Sequence, residues 1–195
     1  NGSKNEKITV KNFDKENPFG TFAIIGEENK SFVELSNFII EGGSEQLIDG
    51  IVFLGQLSIH NAIVNISDSE INSSFSDDGS NIRNSNVKII STIFKNNKFD
   101  ALDLDFCNGQ VIKNTFLSKG QKSNLGGDGI DLSGSNVIIS DNIVKNFNDK
   151  GMSIGEKSKA IINQNFFEKN DIAVAVKDGS KVYIFKNEYK KNNLE

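Results

Sequence analysis

A repeat constrains this chain more than any other feature. The pattern apolar, x, apolar, x, x, Asn, x, large apolar fits Val87-x-Ile89-x-x-Thr92-x-Phe94 and Gly109-x-Val111-x-x-Asn114-x-Phe116. It fits again at Val137-x-Ile139-x-x-Asn142-x-Val144, Ala160-x-Ile162-x-x-Asn165-x-Phe167 and Val182-x-Ile184-x-x-Asn187-x-Tyr189. Fainter copies lie at Val64-x-Ile66-x-x-Ser69-x-Ile71 and Val33-x-Leu35-x-x-Phe38-x-Ile40. From Ile71 onward the closing apolar residues are spaced by 23, 22, 28, 23 and 22 positions. The long step holds an extra polar segment at 118–127. A second apolar pair follows the copies at Leu102/Leu104, Ile130/Leu132, Met152/Ile154 and Val174/Val176. Ile51-x-Phe53 is an earlier candidate for that pair, and Ile82 is the one inward residue expected between Ile71 and Val87.

These segments alternate with period 2 and are too short for helices. No unit can bury its apolar face alone. Stacking units at the strand spacing of about 4.8 Å aligns their apolar positions into continuous rows. One row is Phe94, Phe116, Val144, Phe167 and Tyr189; another is Ile89, Val111, Ile139, Ile162 and Ile184. The Asn row sits at a turn, where each side chain can bond the Asn of the next coil and satisfy turn amides. A period near 22 with up to three short strands per turn predicts an all-β, right-handed parallel β-helix of about seven coils. The Leu-x-x-Leu-x-Leu signature of leucine-rich repeats is absent.

The whole chain 1–195 reads as one β-helix domain, with 1–45 as an irregular N-terminal coil or cap and 118–127 as an inserted loop, basic at Lys119 and Lys122. The last repeat runs almost to the end without a capping segment, and repeat arrays need caps. The chain is therefore expected to be a segment of a larger protein with flanking domains. A net charge of −4 with no block of one sign gives nucleic acid no electrostatic footprint. No apolar run reaches membrane-span length. One Cys and one His exclude a disulfide framework, a Cys-based zinc site and a multi-His cluster. Cys107 and His60 are expected as turn or strand residues.

Writing the strand after each Asn turn as stacked rows places chemistry on one outer patch. The outward rows are Asp103/Asp131/Ser153/Ala175 and Asp105/Ser133/Gly155/Lys177, preceded by Asp100/Asp128/Lys150/Ile172. Stacked carboxylates lie about 5 Å apart. Such neighbours can act as an acid–base pair, share a hard cation such as Ca²⁺, or simply open turns.

The stretch from about Asn86 to Asn192 resembles the parallel β-helix repeat family of pectate-lyase-like and polygalacturonase-like proteins. The residues that carry the resemblance are Asp128-Gly-Ile-Asp-Leu-Ser-Gly-Ser-Asn-Val-Ile-Ile-Ser-Asp-Asn142 and Lys150-Gly-Met-Ser-Ile-Gly155. Asp128-Gly-Ile-Asp131 is similar to the polygalacturonase motif whose first Asp is catalytic, which implies that role for Asp128. The paired Asp expected one coil later is Asp149-Lys150 here, and the Gly-His-Gly motif is missing. The calcium-dependent lyases imply metal carboxylates at Asp100, Asp103, Asp128 and Asp131. Their base Lys corresponds to Ser153, leaving Lys150 either to substitute or to pair with Asp128. The expectation is an extracellular or cell-surface module that binds a polysaccharide or a cation (Ca²⁺) without catalysis. Its substrate-binding candidates are Asp103, Asp105, Asp131, Ser153 and Asp149. The alternative is a lyase, hydrolase or epimerase acting on an acidic glycan through Asp128 and Lys150.

Overall fold

The computed structural model describes residues 1–27, 30–120 and 126–194. Three parallel sheets wrap one core. The first holds Phe22–Ile25, Gly55–His60, Asp78–Arg83, Asp100–Asp105, Ile130–Ser133, Lys150–Gly155 and Ile172–Val176. A second of seven strands runs from Phe32–Ser36 to Lys181–Phe185, and a third of eight from Ile8–Lys11 to Glu188–Lys190. Each coil visits the sheets in that order, giving seven complete coils of a right-handed parallel β-helix among the described residues.

The predicted rows form the interior as far as the last coil, where Ile184 and Val176 are exposed rather than inward. Phe94, Phe116, Val144 and Phe167 are fully buried, as are Ile89, Val111, Ile139 and Ile162. The Phe94 and Phe116 rings stack at 4.8 Å, and those of Phe167 and Tyr189 at 5.4 Å. Parallel in-register pairing makes such stacks automatic, since each residue sits above its equivalent one coil earlier.

Polar ladders close the corners. Asn142 Oδ1 accepts the backbone N–H of Asn114 at 2.8 Å and its side-chain amide at 3.1 Å. Asn142 Nδ2 donates to the Val111 carbonyl and to Asn165 Oδ1. The left-handed backbone falls on the residue before each ladder Asn, at Lys113, Asp141, Gln164 and Lys186. The Asn is therefore selected for its bonds, not for its φ. A second corner uses hydroxyls: Ser135 Oγ accepts from Cys107 N and donates to Leu104 O, and Ser158 Oγ repeats the arrangement. Cys107 is a rung of this ladder, its thiol donating to Ile82 O at 3.2 Å.

Two expectations change. Residues 22–41 form a complete coil rather than an irregular one, with Ile8–Lys11 pairing outside it. Ile51-x-Phe53 does not belong to the first sheet. It pairs antiparallel with Gln46–Ile48 in a hairpin closed by Asp49 and Gly50, both at positive φ. Such a turn matches the strand twist and diverts the chain outward. The inward pair of that coil is Leu57 and Ile59. Ile82 is buried as expected, and Ser80 fills the position beside it. Of the inserted loop, residues 121–125 lie outside the described residues, Lys122 among them.

Candidate functional site

The outer patch depends on a column of small residues. Gly79, Ala101, Gly129, Gly151 and Ala173 each precede an inward residue of the first sheet and are buried themselves. A Cβ on Gly129 would meet Val144 Cγ1 at 2.9 Å and Phe147 Cε2 at 3.1 Å, so this column also faces the core. Two consecutive inward residues break the alternation that a regular strand imposes. In consequence residues three apart, such as Asp100 and Asp103 or Asp128 and Asp131, share the outer face.

The structure brings Asp100, Asp128 and Asp131 together: each offers a carboxylate oxygen, and these oxygens all lie within 4.8 Å of one another. Asp128 N donates to Asp100 Oδ1 at 2.6 Å, and Lys150 N donates to Asp128 Oδ1 at 2.9 Å. One carboxylate of each coil thus caps the backbone of the next. Asp131 Oδ1 and Ser153 Oγ are buried and have no hydrogen-bond partner among the described residues. They stand on register-paired positions of adjacent strands, and Ser153 is fully buried.

The other candidates have separate attachments. Asp103 Oδ2 accepts from Asn81 Nδ2 at 2.8 Å, and Asp105 Oδ2 from the same amide at 3.3 Å. Arg83 Nε lies 3.5 Å from Asp105. Asp103 is therefore beside the trio and not within it. The Lys150 ammonium sits 3.4 Å from Asp128 and 2.5 Å from Asp149.

Crowding and burial dominate the electrostatics. Burial, reinforced by the Asp128 charge, pushes Asp100 up to about 7. Burial pushes Asp128 up to about 6, with Lys150 opposing it. Burial and then the charges of Asp105 and Asp131 raise Asp103. Burial pulls the Lys150 ammonium down, but its bonds and charge contacts with Asp149 and Asp128 outweigh this and leave it above the ordinary lysine value. Lys150 therefore stands as a cation between Asp128 and Asp149. Proximity of like charges in a desolvated patch is the condition a hard cation relieves.

Asp78 was missed in the sequence. It is buried, register-paired with Asp100, raised by burial and by Asp103, and leaves Oδ2 without a partner among the described residues. The signal was present, since Asp78-Gly-Ser-Asn81 repeats the spacing of Asp128-Gly-Ile-Asp131.

A family profile described as a right handed beta helix region matches residues 49–194, most of the chain. No curated protein matches it. Among the described residues no helix is long and apolar enough to cross a membrane.

Proposed function

The chain belongs to the right-handed β-helix family, a membership that fixes a scaffold and leaves its chemistry open, and on that premise we propose that it is a cation-dependent glycan-binding module. Asp100, Asp128 and Asp131 hold a Ca²⁺ ion, and the ion's remaining positions are filled by water or by oxygens of an acidic polysaccharide. The observation that carries this is the convergence of three carboxylates within 4.8 Å beside the unpartnered Asp131 Oδ1 and Ser153 Oγ. Calcium takes 6 to 8 oxygen ligands, and a site of this kind in an extracellular or cell-surface module, set among flanking domains, binds at about 10⁻⁴ to 10⁻³ M.

The reading is non-catalytic. Lys150 is neutralised by Asp128 and Asp149, and the Ser153 hydroxyl is no general base without a partner. One observation favours the second reading, a lyase, hydrolase or epimerase: Asp100 at about 7 can carry a transferable proton near neutrality.

Calcium titration by calorimetry and thermal melting tests the proposal on wild type, Asp131→Asn and Asp103→Asn. A saturable heat and a melting shift that Asp131→Asn abolishes and Asp103→Asn retains support it. Calcium-dependent retention on a polygalacturonate column, without release of new chain ends, then separates binding from catalysis. No heat in wild type sinks the cation site.

A further inference from the structure

A recess lies where the third sheet turns into the first, just before the acidic strands. Its volume is about 220 Å³, and Ser73, Phe75, Asn97, Lys98, Ser118 and Lys119 are among its lining residues. Three successive coils contribute to it. Its lining contains two lysines and no carboxylate, in contrast to the acidic strand that starts at Asp100. Neither Lys98 nor Lys119 forms an ion pair among the described residues. Lys98 Nζ sits 5.0 Å above the Phe99 ring instead.

The recess is built on a polar corner. Asn97 Oδ1 accepts from Ser74 N at 3.1 Å, and Asn97 Nδ2 donates to the Ile71 carbonyl at 3.3 Å. This fixes the chain from Asn96, at φ 58, through Lys98. The backbone N–H groups of Asn97 and Lys98 have no acceptor among the described residues. Successive amides without an acceptor, placed after a left-handed residue, are the kind of backbone group that binds an anion. Phe75, 39% exposed, adds an apolar wall of the kind that takes the face of a ring.

We propose that this corner is an oxyanion subsite: it binds a sulfate, phosphate or carboxylate group, in a recess with room for the sugar unit that bears it. The Lys98 and Lys119 ammoniums supply charge, the Asn97 and Lys98 amides supply direction, and Phe75 supplies the apolar contact. The subsite uses none of the acidic residues and stands independently of the cation site.

The test is a backbone NMR titration with sodium sulfate in EDTA, against sodium chloride at matched ionic strength. Keeping divalent ions out separates this result from the fate of the cation site. The expected result is saturable shifts of the Asn97 and Lys98 amides, weakened roughly tenfold or more in Lys98→Gln/Lys119→Gln, as befits loss of charge-assisted bonds. Both lysines are exposed, and an unchanged melting curve confirms that the variant is folded. Parallel titrations with inorganic phosphate, glucuronate and uncharged glucose identify the source: the tightest anion names the group. Shifts that grow linearly with salt, that survive the double substitution, or that glucose reproduces equally would overturn the proposal.

Discussion

Lys150 approaches Asp128 twice, with its backbone N–H 2.9 Å from Oδ1 and its ammonium 3.4 Å from both carboxylate oxygens. The first contact is a consequence of coil stacking and survives any side chain at position 150. The second is a charge contact that opposes the effect of burial on Asp128. Lys150→Gln therefore moves the Asp128 titration midpoint upward from about 6, toward neutrality, while leaving the fold intact. Carboxyl-carbon NMR of the two proteins across pH checks this. A midpoint that stays put would mean that the ammonium contributes nothing to the site.

The Asn ladder sets a graded stability prediction. Asn142 and Asn187 make closely similar contacts, each accepting the N–H and side-chain amide of the rung before it. Each also donates to a main-chain carbonyl. Asn142 is 1% exposed, whereas Asn187 lies half-buried on the last coil. Deleting a buried partner strands polar groups away from water, and several bonds are lost together. Asn142→Ala is expected to cost about 3 to 5 kcal/mol and Asn187→Ala less than half of that. Urea unfolding of both variants measures the difference.

The repeat made the fold legible because in-register parallel stacking turns sequence period directly into spatial rows. Phe94, Phe116 and Phe167 could be placed without coordinates, and so could the Asn142 rung. The hairpin was hidden by its own apolar pair. Ile51 and Phe53 mimic an inward strand, and only Asp49-Gly50 betrays the reversal. At the candidate site the sequence showed which carboxylates share a face but not how they divide. That division depends on whether a neighbour supplies a donor: Asn81 satisfies Asp103, while Ser153 leaves Asp131 Oδ1 unpartnered. The sequence left open what Lys150 reaches, and its ammonium lies 3.4 Å from Asp128 and 2.5 Å from Asp149.

Cys107 stands where other coils carry Ser85, Ser135 and Ser158, and its thiol makes the ladder bonds to Ile82 O and Asp105 O. Burial pushes that thiol up to about 12. It should remain unreactive toward a thiol reagent in the native protein and react fully in urea. Cys107→Ser keeps a donor in place and is expected within about 1 kcal/mol of wild type. Cys107→Val leaves buried carbonyls unpaired and costs about 1 to 3 kcal/mol. Equal stability of the two variants would show that the thiol is only a space filler.

The carboxylate column reverses the usual acid sensitivity over part of the pH range. Asp100 is raised from 3.8 to about 7 and Asp128 from 3.8 to about 6, in both cases chiefly by burial. Between those limits the folded chain holds more protons than the unfolded one. Unfolding then releases protons, so stability falls as pH rises through the window. The sum is on the order of a few kcal/mol. Glu70 acts in the opposite sense. Lys7 and Lys95 hold it at about 2 against 4.5, so its contribution is complete above 4.5 and is lost as pH falls toward 2. In EDTA the two effects place maximum stability near about pH 4, with a decline toward pH 8. Calcium bound by Asp100, Asp128 and Asp131 would replace the missing protons and remove that decline. Urea unfolding from pH 4 to pH 8, with and without calcium, reads both effects. A flat EDTA profile would mean that water screens these carboxylates far better than their burial implies. A decline that calcium leaves untouched would keep the electrostatics and discard the cation.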